Sequence, residues 1–245
     1  MKILLILPPS RFNLKDEIGI AAIPLGLGYL ASTLEKDNHK VKIIDAPTLN
    51  YSMSEIKGEI QEFEPEIVGI TATTSSIYDA YHVAGLVKNI KSQIITVIGG
   101  PHVTFTAEET LKECPSIDIV VRREGEVTLK ELVNFWEAGC SPTIGSLTHI
   151  KGITFRENGK IKETEPRPFI ENLDDLPFPA YHLLPMERYE LGNHRFANII
   201  TSRGCPFSCI FCSSSELCGK RWRARSPENV VEEIKLLKDK FGVKE

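Results

Sequence analysis

Strand-length apolar runs alternate with helix-length amphipathic segments from Lys2 to Trp136, and this alternation admits few folds. Residues 2–7 form a near-continuous apolar run, as in a strand covered on both faces, and Pro8-Pro9 ends it. A polar loop runs through Ile18, and a helix begins near Pro24, whose fixed φ suits a first helical position. Further strands are expected at residues 41–46, 66–71, 94–98 and 117–121, with helices at 54–63, 77–90 and 126–136. Such βα units with short connections specify an α/β fold, a parallel sheet with helices on both faces. Right-handed crossovers favour five strands in the flavodoxin-like (Rossmann-type) order 2-1-3-4-5.

In such a sheet the ligand sits beyond the carboxyl ends of the strands, at the switch between the first and the third. The loops expected there are residues 8–23, 71–76 and 99–103. Thr73, Thr74 and Ser75 cluster hydroxyls and backbone donors at a helix start, which suits a phosphate or an amide-rich ligand. Simple N-capping explains the same residues. Gly99-Gly100 lets a large planar ligand approach the backbone closely, or serves only as a tight turn. His102 follows them and is a candidate contact at a ligand's edge or the cap of a turn. No G-x-G-x-x-G follows the first strand, which counts against a nicotinamide or flavin dinucleotide.

From Gly139 the alternation stops. Residues 153–156 and 160–163 flank Asn158-Gly159, a strong hairpin signal, and five prolines between Pro166 and Pro185 mark an ordered, extended crossover. Residues 198–201 then read as a short strand feeding Cys205, Cys209 and Cys212, spaced C-x₃-C-x₂-C. Three thiolates can bind three irons of a cubane 4Fe–4S cluster and leave the fourth iron open, the arrangement of a site built for chemistry. Gly204 permits the tight wrap such a cluster needs. Cys218, six residues past Cys212, makes a four-cysteine zinc site the alternative, but zinc modules favour paired knuckles with a long spacer. Cys114 and Cys140 stand alone as small apolar residues. Arg221, Arg223 and Arg225 read as a solvated stretch, or as charge complementary to the cluster or a substrate. A helix at 227–241 follows, with Ser226 as N-cap and Pro227 at the first position.

A net charge of −4 argues against a nucleic-acid surface. The opening apolar run is too short for a signal-peptide core or a membrane span. Six cysteines without a secretory signal point to a cytoplasmic protein whose clustered thiols bind metal.

The cysteine motif, with Phe211 before its third cysteine, resembles the signature of radical S-adenosylmethionine (SAM) enzymes. Leu5-Ile-Leu-Pro-Pro, Ile23-Pro-Leu-Gly-Leu-Gly-Tyr-Leu-Ala, Gly99-Gly-Pro-His-Val-Thr and Val121-Arg-Arg-Glu-Gly-Glu are similar to landmarks of the cobalamin-binding domains that precede radical SAM domains. The resemblance implies a cobalamin-binding domain over residues 1–140, a hairpin and Pro-rich connector over 141–195, and the first βα unit of a partial TIM-like barrel over 196–245. It implies a 4Fe–4S cluster on Cys205, Cys209 and Cys212, SAM against Phe211, and cobalamin against Thr73, Thr74, Ser75, Gly99, Gly100 and His102. It also implies a small-molecule substrate, an electron donor such as flavodoxin or ferredoxin, and radical methyl transfer to an unactivated carbon. The D-x-H-x-x-G motif of many cobalamin domains is absent: Asp79 and His82 are one residue too far apart, and His82 reads as a helix-face residue. That absence resembles cobalamin-dependent radical SAM enzymes, in which the lower face of cobalt often lacks a histidine. A methylthiotransferase would need three further cysteines in its first domain, where only Cys114 and Cys140 stand. A non-catalytic cobalamin- or metal-binding module is the other alternative. One βα unit cannot close a barrel, so the chain is expected to be the N-terminal part of a longer enzyme.

Overall fold

The computed structural model describes residues 1–10, 21–139 and 147–245. Much of the expected 8–23 loop, and Cys140, lie outside the described residues. The sheet is built from β1 (Lys2–Leu7), β2 (Lys40–Asp45), β3 (Ile67–Thr71), β4 (Ile95–Gly99) and β5 (Ile119–Val121), which pair in parallel in the order 2-1-3-4-5. Two further strands, β6 (Ile153–Glu157) and β7 (Lys160–Glu163), extend it antiparallel beyond β5. Asn158 and Gly159 both have positive φ (52° and 75°), the geometry a two-residue hairpin turn needs. The hairpin therefore belongs to the sheet; Ile153 and Phe155 enter its core and cover the edge of the short β5.

The alternation of side chains along β1 divides the core. Ile3 and Leu5 face one layer, and Leu4 and Ile6 the other. The first layer holds α1 (Leu25–Glu35) and, after a four-residue helix α2 (Ala46–Leu49), the second holds α3 (Met53–Phe63) and α4 (Ile77–Ile90). Two short helices that the periodicity did not mark, α5 (Pro101–Phe105) and α6 (Ala107–Glu113), fill the β4–β5 crossover on that second side. Helix α7 (Glu126–Glu137) returns to the first layer beside α1.

The connector packs against the same first layer: Ala180, Tyr181, Leu184, Met186 and Tyr189 are all in its core. Gly28 lets it cross α1 closely, since a Cβ there would lie 2.8 Å from Pro179 Cβ, and Ala180 N donates to Gly28 O at 3.0 Å. A small hairpin, β8 (Glu190–Leu191) with β9 (His194–Arg195), precedes the cysteine segment. Residues 198–201 belong to no strand of the described residues; the one rung they share with the segment after the loop is Arg225 N donating to Thr201 O at 2.9 Å. Pairing begins at β10 (Ser202–Arg203), antiparallel to β11 (Arg223–Ala224), with the cysteine loop and a short helix α8 (Ser214–Cys218) between them. The last helix, α9 (Pro227–Phe241), is capped by the Ser226 side chain, and Gly242 closes it with φ 68°.

Candidate functional site

The carboxyl ends of β1, β3, β4 and β5 open onto a cavity of about 550 Å³, within the range of small-molecule and cofactor sites. Its sheet side is floored by Leu5, Gly69, Ile70, Thr71, Val97, Gly99 and Val121. Gly26, Leu27, Tyr29 and Leu30 of the first turns of α1 form a second wall, and residues 123–126 a third. The opposite wall comes from the second part of the chain: Ser202, Arg203, Gly204 and Cys205, with Ser214, Leu217 and Cys218 of α8. Ligand crevice and cysteine loop thus face each other across one space.

Backbone demands explain two of its glycines. Gly100 has φ +109°, and a Cβ there would stand 2.6 Å from Ala72 O, so the turn after β4 closes only without a side chain. Gly204 has φ +89°, and a Cβ would meet Arg221 O at 2.0 Å, which fixes how sharply the chain turns into Cys205. Gly26 and Gly99 have no such constraint and leave the walls flat.

The expected contacts divide into two groups. Gly99 and Gly100 line the cavity. Thr73, Thr74, Ser75 and His102 are not among the lining residues and form a separate polar cluster, close in the chain to Thr71 and Pro101, which are: Thr73 Oγ1 lies 3.0 Å from Ser75 Oγ, and His102 Nδ1 lies 3.1 Å from Thr74 Oγ1. Ser76, behind them, accepts from Thr73 N through its hydroxyl at 3.0 Å, so part of this cluster organises its own turn. His82 sits exposed on α4.

Cys205, Cys209 and Cys212 are free thiols; Cys205 is half-buried in the cavity wall, whereas Cys209 and Cys212 are exposed. Cys205 N donates to Gly219 O at 2.9 Å and Cys212 N to Cys209 O at 3.1 Å, which shape the two halves of the loop. Cys212 Sγ lies 3.3 Å from Ser214 Oγ, and hydrogen bonding by the side chain and backbone of Ser214 holds its pKa below the ordinary thiol value. Burial pushes the Cys218 thiol up, with the Glu124 carboxylate adding to the effect. Phe207, Ile210 and Phe211 project from the loop, Phe211 90% exposed and outside the cavity lining. Among the described residues no group of three or more His, Cys, Asp or Glu side chains is gathered closely enough to hold a metal ion. The donor chemistry of the loop nevertheless fits iron and sulfide: three free thiols within eight residues on a glycine-hinged turn.

The arginines after the loop are not a solvated stretch. Side chains alternate from Trp222 to Arg225, across and just beyond β11, so that Arg223 and Arg225 turn inward while Trp222 stays exposed. Arg223 pairs with Glu124 (2.9 Å) and donates to Cys218 O (2.8 Å), and Arg225 pairs with the buried Glu233. Only Arg221 is exposed, 2.7 Å from Glu171.

Glu124 and Glu126, noted in the sequence only within the Val121-Arg-Arg-Glu-Gly-Glu landmark, and Arg203, given no role there, all stand in the cavity wall. Arg203 donates to Glu124 (3.2 Å) and to Glu126 (2.7 Å), and its guanidinium covers the Tyr29 ring at 5.2 Å. Burial works against the Arg203 charge, but Glu126 and Glu124 outweigh it and its pKa is raised. Tyr29 is pushed up to about 12, by burial and then by the Glu233 charge. The usable signal was charge in an apolar context: two carboxylates entering α7 and an arginine beside the first cysteine.

Residues 14–133 match the family model described as the B12 binding domain. The chain is 51% identical over its whole length to an uncharacterized methyltransferase of Pyrococcus horikoshii, of which it covers 52%. It is 36% identical over 87% of its length to an anaerobic magnesium-protoporphyrin IX monomethyl ester cyclase of Rubrivivax gelatinosus, of which it covers 39%. The chain thus spans about half, or less, of the length of these relatives. Among solved structures, the cobalamin-dependent SAM radical enzyme OxsB, with aqua-cobalamin and SAM bound, superimposes with a TM-score of 0.81 at 22% identity, covering 99% of this chain and 32% of that one. Residues 14–133 therefore match the B12-binding domain family, and the chain as a whole is similar to cobalamin-dependent radical SAM proteins.

Proposed function

We propose that this chain is the cobalamin-binding part, with the cluster loop, of a radical SAM enzyme that transfers a methyl group to an unactivated carbon of a small molecule. The observation that carries the reading is the shared cavity: the sheet's carboxyl edge forms one side and the loop of Cys205 the other. Gly26, Gly99 and Gly100 would offer a broad corrin ring walls without side chains to displace. Thr73, Thr74, Ser75 and His102 would offer donors beside the cavity for the amide groups that surround such a ring. Cys205, Cys209 and Cys212 would hold a 4Fe–4S cluster, and Phe211 on the same loop would lie against SAM. When bound, the cofactors supply a transferable methyl group and a hydrogen-abstracting radical. The chain's own residues bind and orient: Leu5, Val97 and Val121 of the cavity floor and Leu27 and Leu30 of its second wall exclude water, and the glycine turns set the approach of the two sides. Methyl transfer is preferred over cyclisation because the relative at 51% identity is named a methyltransferase. The domain division 1–140, 141–195 and 196–245 belongs to the same reading, with the β6–β7 hairpin joined to the first domain's sheet. Among the described residues no helix is long and apolar enough to cross a membrane; a cytoplasmic setting and an electron donor of the flavodoxin or ferredoxin type complete the proposal.

Anaerobic reconstitution with iron and sulfide, followed by electron paramagnetic resonance of the reduced protein, tests it. A cubane cluster signal that changes when SAM is added is expected. A protein that takes up only zinc and ignores SAM would sink the enzyme reading.

A further inference from the structure

Two carboxylates and two guanidiniums lie buried together between the cavity and the connector. Side-chain exposure is 10% for Glu124, 6% for Glu126, 12% for Arg203 and 3% for Arg223. Glu124 bridges both arginines and also accepts from Ile170 N at 2.8 Å; among the described residues, the side chain of Glu126 accepts from Arg203 alone. The Phe169 ring stacks on Arg223 at 5.1 Å. Desolvating four charges is costly, and a surface loop needs no such network merely to fold. Its placement gives it a use. Glu124 and Glu126 stand at the carboxyl end of β5, the edge of the ligand crevice, and Arg203 stands two residues before Cys205. Gly204 between them is wedged against Arg221 O, so the direction of Arg203 is passed on to Cys205 with little slack.

We propose that Glu124 and Glu126 are positioning residues: through Arg203 they hold the cysteine loop across the crevice, so that Cys205 faces the ligand bound at the sheet's edge. This rests on the reading of the crevice and loop as neighbouring cofactor sites, but its test needs neither cofactor. The network is neutral as a set, and every carboxylate oxygen that receives an arginine is shared between the two parts of the chain. Loss of one carboxylate leaves a buried cation short of its counter-charge and frees the loop before it unfolds the domain.

The experiment is iodoacetamide labelling of the metal-free protein, read by mass spectrometry at each cysteine. Cys205 reports the loop, and buried Cys114, in the core on the far side of the sheet, reports global opening. Glu124→Gln is expected to speed labelling of Cys205 by roughly tenfold or more, with Cys114 unchanged. Glu126→Gln should have a smaller effect, because it removes one arginine contact and not two. In an Arg203→Gln background, Glu126→Gln should add nothing further, since the two act through one contact. The proposal is overturned if Cys205 labels at the wild-type rate in Glu124→Gln, if Cys114 speeds up in step with it, or if the Arg203 and Glu126 effects simply add. The expected pattern across these variants, together with a wild-type protein that binds neither cobalamin nor iron, would refute the functional reading and leave the clamp standing.

Discussion

Glu233 anchors the last helix to everything before it, and its removal has a calculable consequence. It is 0% exposed and accepts from Tyr181 OH at 2.7 Å and from Arg225, whose side chain is 3% exposed. Arg225 also donates to Ile200 O at 2.8 Å and to Asn229 Oδ1 at 2.7 Å, so α9, the connector and the approach to the cysteine loop meet at one carboxylate. Glu233→Gln keeps the shape but leaves the Arg225 cation buried among neutral acceptors. Breaking one partner of a buried pair costs about 3–5 kcal/mol. At this chain length each kcal/mol moves the unfolding midpoint by about 2–4 °C, so a fall of roughly 6–20 °C is expected by circular dichroism. Tyr181→Phe, which loses one hydrogen bond to the charge, should cost about 1.5–3 kcal/mol. Replacing both ions, Glu233→Leu with Arg225→Met, should recover most of the loss, because no lone charge remains. A single Glu233→Gln variant within about 1 kcal/mol of wild type would refute the reasoning, since it would mean that water already solvates the pair.

Gly99→Leu meets no backbone obstacle, the nearest atom to its Cβ being Val121 O at 3.6 Å, but its side chain enters the cavity. It should fold normally and weaken cobalamin binding by about tenfold or more in a spectrophotometric titration; unchanged affinity would remove the crevice from consideration. Cys209→Ala should abolish cluster assembly, measured as iron and sulfide content, while cobalamin uptake stays largely intact; joint loss of both would contradict two sites with separate ligands. Tyr29 is protonated more tightly in the folded state, at about 12, than at its ordinary value of 10.0. Its contribution to stability is complete below pH 10 and is lost as pH rises from 10 toward 12, so the urea midpoint should fall in that window, and less steeply in Tyr29→Phe. A midpoint that is flat from pH 9 to 12 would contradict the burial of that phenol.

The sheet was legible because its information is local. Apolar runs mark strands covered on both faces, and the right-handed crossover leaves the 2-1-3-4-5 order almost alone, as observed. The Asn158-Gly159 turn was equally plain, but not that its strands would cap β5, because an edge announces itself only in the assembled sheet. Helices α5 and α6 were missed: each is short, and Pro101 and Thr106 break the period that would reveal them. Gly100 and Gly204 carried their meaning in the sequence, since only glycine accepts those turns. The carboxylate–arginine clamp did not, because Glu124 and Arg203 are 79 residues apart in the chain and no periodicity links them.

Cobalamin retention tests the central claim most directly. The chain is incubated with aqua-cobalamin, passed through gel filtration and examined by absorption spectroscopy. A protein peak that carries the corrin spectrum in stoichiometric amount, and loses it in Gly99→Leu, is the result expected of a cobalamin crevice at the sheet's carboxyl edge. A colourless wild-type peak would contradict it.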